Sequence, residues 1–150
     1  PATLNNWITA KKNLMANPGY KAQDVNSFIQ LRRRLINECN KNKVGLLLGS
    51  DAPQIFNVPG FSLHHELKYM VDAGLTPYEA LKTGTVNVGK YFDRPELGII
   101  KKGAAADLVL LSANPLENID NTKKIEGVML RNLWLPKEYI VAELKKLEKK

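Results

Sequence analysis

One stretch of the chain decides the fold: Val44-Gly45-Leu46-Leu47-Leu48-Gly49-Ser50-Asp51-Ala52-Pro53. Val44–Leu48 is apolar throughout, which is typical of a strand covered on both faces in a parallel sheet between helices. Asp51 follows the carboxyl end of this predicted strand. In α/β barrels, that end of the strands is where ligands bind and catalytic groups lie. Because Asp-x-Pro is also common turn chemistry, Asp51 has a second interpretation as the cap of the following turn.

A helix is predicted directly before this stretch, with Asp24 as its N-cap and its end at residues 40–43. Its apolar positions recur with helical period, namely Val25, Phe28, Leu31, Leu35, Ile36 and Cys39. Further upstream, residues 5–23 predict one or two turns of helix and then a loop, and residues 1–4 predict the end of a strand. A helix followed by a strand is half of a parallel α/β unit.

Downstream of the stretch the sequence predicts three more helices. The first carries apolar residues at i, i+4, i+7 and i+8 and is stopped by Gly74; these residues are Leu63, Leu67, Met70 and Val71. The second begins with a capping box between Thr76 and Glu79, with Pro77 at the first helical position. The third covers residues 86–92, where Gly84 and Gly89 would allow backbones to pack closely.

From Asp93 onward the sequence predicts mainly strands. Residues 108–111 read as a buried strand, and residues 128–130 and 133–135 read as further β segments. Pro136 opens a last predicted helix, whose shared apolar face is formed by Ile140, Leu144 and Leu147. A helix-rich part of the chain is therefore followed by a strand-rich part.

Three motifs follow one another along the chain. They are Gly49-Ser50-Asp51, then Glu66-Leu67 with residues 73–81 and 83–87, and then residues 97–116, which contain Ala106-Asp107-Leu108-Val109-Leu110. Together they resemble the amidohydrolase superfamily, in the branch near imidazolonepropionases and Xaa-Pro dipeptidases. The resemblance implies an α/β fold in which residues 1–92 form the last strand-helix units of a (β/α)8 barrel. It implies that residues 93–150 form the C-terminal part of a small β-sandwich domain with a terminal helix.

The same resemblance implies a metal-dependent hydrolase acting on C–N bonds of amides, cyclic amides or dipeptides. Asp51 would touch a divalent metal, with zinc favoured, and would take a proton from the metal-bound water as general base. The histidines that bind metal in such enzymes have no counterpart here, because the chain contains only His64 and His65. Adjacent helical residues point about 100° apart and make no chelating pair. We therefore expect this chain alone to be inactive and to hold no metal.

The loop of residues 53–60 leads from Asp51 to His64. This position predicts a substrate contact for His64, although a surface or interface histidine is an open alternative. Gln54 and Asn57 lie in the same loop and are predicted to contact a polar substrate. The substrate would be a small molecule or a peptide.

The composition narrows the possible classes of function. The net charge is +7, but the lysines are spread along the chain without a basic stripe interleaved with aromatic residues, so nucleic-acid binding is not favoured. No apolar run approaches the roughly 18 residues of a membrane span. The single cysteine, Cys39, excludes an intramolecular disulfide and is expected to be buried. The chain begins at Pro1 without a signal-peptide pattern, so it is expected to be processed or a piece of a longer protein.

A lone barrel strand has two hydrogen-bonding edges that need neighbours. We therefore expect the remainder of a barrel or companion chains as partners, and a homo-oligomer. The alternative function is a non-catalytic α/β binding or assembly module with a basic surface.

Overall fold

The computed structural model describes residues 2–148 of the chain. The α helices of this part are α1 (Ala2–Ala16), α2 (Ala22–Lys41), α3 (Ser62–Asp72), α4 (Pro77–Thr83), α5 (Val86–Tyr91) and α6 (Lys137–Glu148), with a 3₁₀ helix at Ile119–Lys123. The strands are β1 (Leu108–Leu111), β2 (Ile125–Leu130) and β3 (Leu133–Pro136).

The first two helices differ from the prediction at their starts. Residues 2–4 belong to α1 and do not form the end of a strand, while Pro1 lies outside the described residues. The α1 sequence contains no glycine or proline, so helical propensity decides the conformation until Pro18 stops it. Asp24 is not the N-cap of α2, because the helix begins at Ala22 and Lys21 occupies the cap. Asp24 lies in the first turn, where the helix dipole favours a negative charge.

The ends of α3 and α4 agree with the sequence analysis. Gly74 adopts φ +109°, and its N–H donates to Val71 O at 2.9 Å while Leu75 N–H donates to Met70 O at 3.2 Å. This pair of bonds is a Schellman motif, which needs the left-handed conformation that glycine adopts easily. The capping box of α4 between Thr76 and Glu79 is also present. These elements are determined by residues close in sequence.

The buried core lies where α3 and α4 meet the 3₁₀ helix. Its hydrophobic cluster comprises Leu67, Met70, Leu75, Ala80 and Ile119, with Ile36, Leu46, Leu48, Val71 and Leu81 packed against it half-buried. Gly84 allows the end of α4 to approach Leu48, because a Cβ at this glycine would lie 2.8 Å from the Leu48 side chain. Residues on both sides of Asp93 thus share one core.

The segment Val44–Ser50, which we call the open segment, has no strand partner in the described residues. Leu46 and Leu48 pack against the core, whereas Val44 is 55% and Leu47 is 40% exposed. The prediction of a sheet strand buried on both faces is therefore wrong for this structure. The alternation of packed and exposed side chains is that of an extended chain with one face covered by helices and the other face uncovered.

The three strands form one antiparallel sheet in the order β1-β2-β3. The registers pair Val109 with Val128 and Val128 with Leu135. The prediction that residues 108–111 are buried is wrong, since Val109 and Leu110 are more than half exposed. Helix α6 packs against β2 and β3 and leaves part of the sheet uncovered. Val109 and Leu110 therefore lie in a strand and are exposed.

The chain exposes an unusually large surface for its mass. Its accessible area is 11491 Å² at 16.8 kDa, whereas a compact monomer of this mass would expose roughly 7,700 Å². Helix α2 contains no buried residue, and Val44 and Leu47 of the open segment are exposed, which contributes to this large area. Among the described helices, none combines the length and apolar character that crossing a bilayer requires.

Candidate functional site

Asp51 stands directly after the open segment and is exposed. Its backbone has φ +53°, a left-handed conformation that Asp tolerates better than most residues. Gln54 Nε2 donates a hydrogen bond to Asp51 Oδ2. The other carboxylate oxygen has no hydrogen bond to a residue of the described chain, so it is available to a ligand or to water.

The loop after Asp51 is closed by its own amide groups. Asn57 Nδ2 donates to Ser50 O at 2.7 Å, and the backbones of Gln54 and Asn57 pair with each other at 2.9 and 3.3 Å. The Ser50 and Ser62 hydroxyl oxygens lie 2.9 Å apart and attach the loop to the start of α3. The amide nitrogens of Gln54 and Asn57, which were predicted to contact substrate, are therefore engaged in holding Asp51 and Ser50.

A cavity of about 600 Å³ brings these residues together. It lies between α2, the end of the open segment, the loop and α3. Asp51, Gln54 and Asn57 line it together with His65 and Glu66 from α3 and Arg32 from α2. Three of the four predicted site residues therefore converge at one place.

His65, Glu66 and Arg32 were missed as site residues in the sequence analysis. Ser62, Glu66 and Tyr69 follow one another at i, i+4 and i+7 and all line the cavity, so this polar face of α3 could have identified Glu66 and the neighbouring His65. Arg32 lies on α2, and no signal in the sequence identified it. Burial raises the pKa of the Glu66 carboxyl, and the positive charge of Arg32 acts in the opposite direction. Glu66 therefore brings a second carboxyl group to the cavity that Asp51 lines.

His64 lies elsewhere. Its Nδ1 is 3.0 Å from Thr122 Oγ1 of the 3₁₀ helix, and it does not line the cavity. Burial lowers the pKa of His64, and the charge of Lys123 lowers it further. Adjacent helical positions direct His64 and His65 to different sides of α3, as the helical geometry requires. The role of His64 as a substrate contact stays a prediction.

The described residues do not form a metal site by themselves. No three of their His, Cys, Asp and Glu side chains come close enough together to hold an ion. A catalytic zinc ion usually has about three protein ligands. Asp51 could supply one oxygen ligand, but residues 2–148 do not complete the set.

A second cavity of about 840 Å³ lies beside the other end of the open segment. Lys43, Lys82 and Lys90 line it together with Glu79. It is larger than the cavity at Asp51, but size does not identify a reaction site. We assign the site to the smaller cavity because there a free carboxylate oxygen, a second carboxyl group and an imidazole lie around one space.

Comparison with known protein families gives one broad match. The profile of the amidohydrolase family matches residues 4–133. The ochratoxinase of Aspergillus niger is 37% identical over 84 residues, which cover 53% of this chain and 16% of that enzyme. The chain thus spans about a sixth of the length of the curated relatives it matches.

We compare two of the solved structures that share the fold. A Xaa-Pro dipeptidase with methionine bound in its active site superimposes with a TM-score of 0.66 at 22% identity, over 89% of this chain and 33% of that protein. Molinate hydrolase superimposes with a TM-score of 0.57 at 25% identity, over 89% of this chain and 30% of that protein. The described residues therefore have the α/β arrangement of part of such a protein.

Proposed function

Because this chain belongs to the amidohydrolase family, we propose that it is the C-terminal portion of a hydrolase for C–N bonds of amides, cyclic amides or dipeptides. The observation that carries the proposal is the cavity at the end of the open segment, where Asp51 lies with Glu66 and His65. Asp51 and Glu66 belong to two of the motifs that resemble the family, and His65 directly precedes Glu66.

The proposed architecture extends the observed fold. Residues 1–92 supply the last strand-helix units of a (β/α)8 barrel, with the open segment as a barrel strand that lacks its neighbours. Residues 93–150 supply the C-terminal part of a small β-sandwich domain and its terminal helix. The one-sided burial of the open segment supports this proposal, because a barrel strand packs one face on helices and the other on the barrel interior.

Asp51 is the proposed general base. Its free carboxylate oxygen accepts a proton from the attacking water and later passes a proton to the leaving nitrogen. Gln54 holds the second oxygen and so fixes the direction of the carboxylate. Asn57 acts on the same loop by holding Ser50, and any substrate contact of Gln54 or Asn57 would use the amide oxygens. His64 Nδ1 lies beside Thr122 Oγ1, so the proposed substrate contact of His64 would use Nε2.

A divalent metal, zinc foremost, would lower the pKa of the attacking water when bound. Asp51 is the one ligand that this chain would contribute. The other ligands would come from the remainder of a barrel or from companion chains. On this proposal the chain alone neither binds the metal usefully nor hydrolyses substrate.

The second candidate is a non-catalytic α/β binding or assembly module with a basic surface. The absence of a three-ligand metal group among residues 2–148 is expected under both candidates, so it does not separate them. Under this alternative Asp51 caps a turn, and its replacement by Asn, which is also a good capping residue, changes little.

A chimaera separates the two candidates. Residues 44–131 of this chain would replace the corresponding region of the Aspergillus niger ochratoxinase, and the activity of that enzyme would be measured. Asp51→Asn should lower kcat by about 10²–10⁴-fold, because the amide keeps the shape but cannot accept the proton. The melting temperature should hardly change.

Asp93→Asn is the matched control. Asp93 is exposed and has φ +54°, close to the +53° of Asp51, but it lies outside the cavity. It should leave kcat unchanged. An Asp51→Asn chimaera that keeps more than about a tenth of the parental kcat would exclude the general base, and a folded but inactive parental chimaera would favour the non-catalytic module.

A further inference from the structure

A tight turn at residues 54–57 presents the side chain that holds Asp51. The backbones of Gln54 and Asn57 bond to each other in both directions, since Asn57 N–H donates to Gln54 O at 2.9 Å and Gln54 N–H donates to Asn57 O at 3.3 Å. Gln54 Nε2 also donates to Asp51 Oδ2. The direction of the Gln54 side chain, and with it the hold on Asp51, therefore depends on the conformation of this turn.

Phe56 is an unusual residue at its position in the turn. It stands third of the four residues and has φ +60°, a left-handed conformation that Gly or Asn usually supplies at this position. A bulky side chain is strained in this conformation, and such strain persists where surrounding contacts impose it. The backbone bonds that close the turn do not involve the Phe56 ring, so the contacts of the ring have to be considered separately.

Helix α1 supplies the contacts on the Phe56 ring. The ring centroids of Trp7 and Phe56 are 5.7 Å apart at an interplanar angle of 55°, and Lys11 Nζ lies 5.9 Å from the centroid of the Phe56 ring. Trp7 and Lys11 are four residues apart, so they share one face of α1. A half-buried indole and a cation thus meet the same ring, and both kinds of contact are favourable.

We propose that Trp7 is a positioning residue of the candidate site, which acts through Phe56 to fix Gln54 on Asp51. The indole stabilises Phe56 in its left-handed conformation, and Lys11 adds to this contact. The turn then directs Gln54 Nε2 to one oxygen of Asp51, so that the other carboxylate oxygen keeps a fixed direction and stays free to take a proton. Trp7 itself does not line the cavity.

This inference rests on the proposed function for the use that is made of Asp51, whereas the contacts belong to the chain as it is. They are made by side chains of α1 and by a turn beyond the carboxyl end of the open segment. They use no backbone group of that segment, so they are compatible with neighbouring barrel strands on both of its edges. In the proposed hydrolase, α1 therefore controls the direction of the general base from outside the cavity.

The side-chain amide signals of Gln54 in a nitrogen–proton NMR spectrum of this chain test the proposal. Asp51→Gly removes the acceptor, while glycine keeps the left-handed backbone without strain, so this variant shows the Gln54 signals without the bond. In Trp7→Ala these signals should move most of the way to their positions in Asp51→Gly. The backbone amide of Asn57 should exchange with solvent about two- to tenfold faster, as the loss of an aromatic pair predicts. Trp7→Phe keeps a ring against Phe56 and should resemble wild type.

A double variant separates this contact from a general loosening of the chain. In Phe56→Gly, glycine adopts the left-handed conformation without support, so the further change Trp7→Ala should not alter the signals of the turn. Tyr91→Ala is the matched control. It removes a second aromatic pair, with Phe92 at 4.9 Å between centroids, beside the cavity at the other end of the open segment. It should leave the signals of the turn unchanged.

The proposal is overturned by wild-type Gln54 signals that coincide with those of Asp51→Gly, or by a Trp7→Ala variant with wild-type signals. It is also overturned if Trp7→Phe behaves like Trp7→Ala, or if Trp7→Ala has the same effect in the Phe56→Gly background as in wild type. An equal effect of Tyr91→Ala would show general loosening and would exclude it as well. These outcomes are independent of catalysis, which the kcat of Asp51→Asn in the chimaera tests separately.

Discussion

Both helix α4 and a strand at the open segment were predicted from the sequence. Within the described residues, α4 is formed, whereas the open segment is not paired with a second strand. Thr76 Oγ1 accepts from Glu79 N at 3.2 Å, and the Glu79 carboxylate accepts from Thr76 N at 2.8 Å, so the start of α4 is satisfied by residues three apart. The strand-like residues 44–50 need hydrogen bonds from a second strand. A capped helix finds its hydrogen-bond partners within a few residues of the sequence. A buried strand finds its partners only where neighbouring strands are present.

The sharpest test of this difference compares two leucines. Leu67→Ala should destabilise the chain by about 2–5 kcal/mol, because it opens a cavity in the core where Leu67 is 6% exposed. Leu47→Ala in the open segment should cost less than about 1 kcal/mol, since little apolar area returns to water. Urea unfolding in dilute protein measures both. Equal losses would show that the open segment is buried in solution.

Two glycines extend the comparison to the backbone. A Cβ at Gly98 would lie 2.2 Å from the carbonyl carbon of Thr85, and Gly98 adopts φ +71°. Gly98→Ala should therefore cost about 1–3 kcal/mol for the displaced backbone, in addition to the left-handed penalty. Gly103→Ala is the control for that penalty, since Gly103 has φ +85° with open space around it.

In the open segment, Gly45→Ala should stay within about 0.5 kcal/mol of wild type in the monomer. The three variants are compared by their midpoints of urea unfolding. If Gly98→Ala and Gly103→Ala lost the same stability, the contact between residue 98 and the start of α5 would not exist in solution.

The smallest effect concerns pH. Hydrogen bonds from Asn40 Nδ2 and from Thr76 hold the pKa of Glu79 below its ordinary value of 4.5. A carboxyl with a lowered folded-state pKa contributes stability above its unfolded pKa, and this contribution is lost as the pH falls through the folded pKa. Glu79→Gln should cost about 0.5–1 kcal/mol near neutral pH, and the loss should shrink below a pH of about 4.5.

Urea midpoints of wild type and variant, measured from neutral to acidic pH, check this prediction. Glu148→Gln, at the exposed end of α6, is the control and should leave the curve unchanged. A difference between wild type and Glu79→Gln that is constant across the whole range would show that the carboxylate charge is not involved.

Much of the secondary structure could be predicted because its signals are local. The Gly74 stop, the Thr76 cap and the short helix after Gly84 depend on residues within one or two turns. The predicted start of α2 was wrong. Asp24 is a good capping residue, but it lies inside the helix, which begins at Ala22. The predicted burial of β1 and of the open segment was wrong. An apolar pattern indicates which side chains could be buried, but whether they are covered depends on residues distant in sequence.

The candidate site was predictable to a similar degree. Asp51, Gln54 and Asn57 could be placed beside one another because they directly follow the open segment in sequence, and their roles stay predictions. Glu66 and His65 could have been found from the polar face of α3, but their meeting with Arg32 depends on how α2 packs across the segment. His64 illustrates the limit, since the choice between its ring and that of His65 depends on the rotation of α3 against the 3₁₀ helix.

The large exposed surface of the chain has a calorimetric consequence. The heat capacity of unfolding is set by the apolar area that becomes hydrated, and an ordinary domain gains about 12–15 cal/mol/K per residue. Since this chain already hydrates much of that area when folded, its heat capacity increment per residue should be lower. Its stability should then vary little with temperature, and its melting should be broad. Covering the uncovered faces by assembly would raise the increment and sharpen the transition.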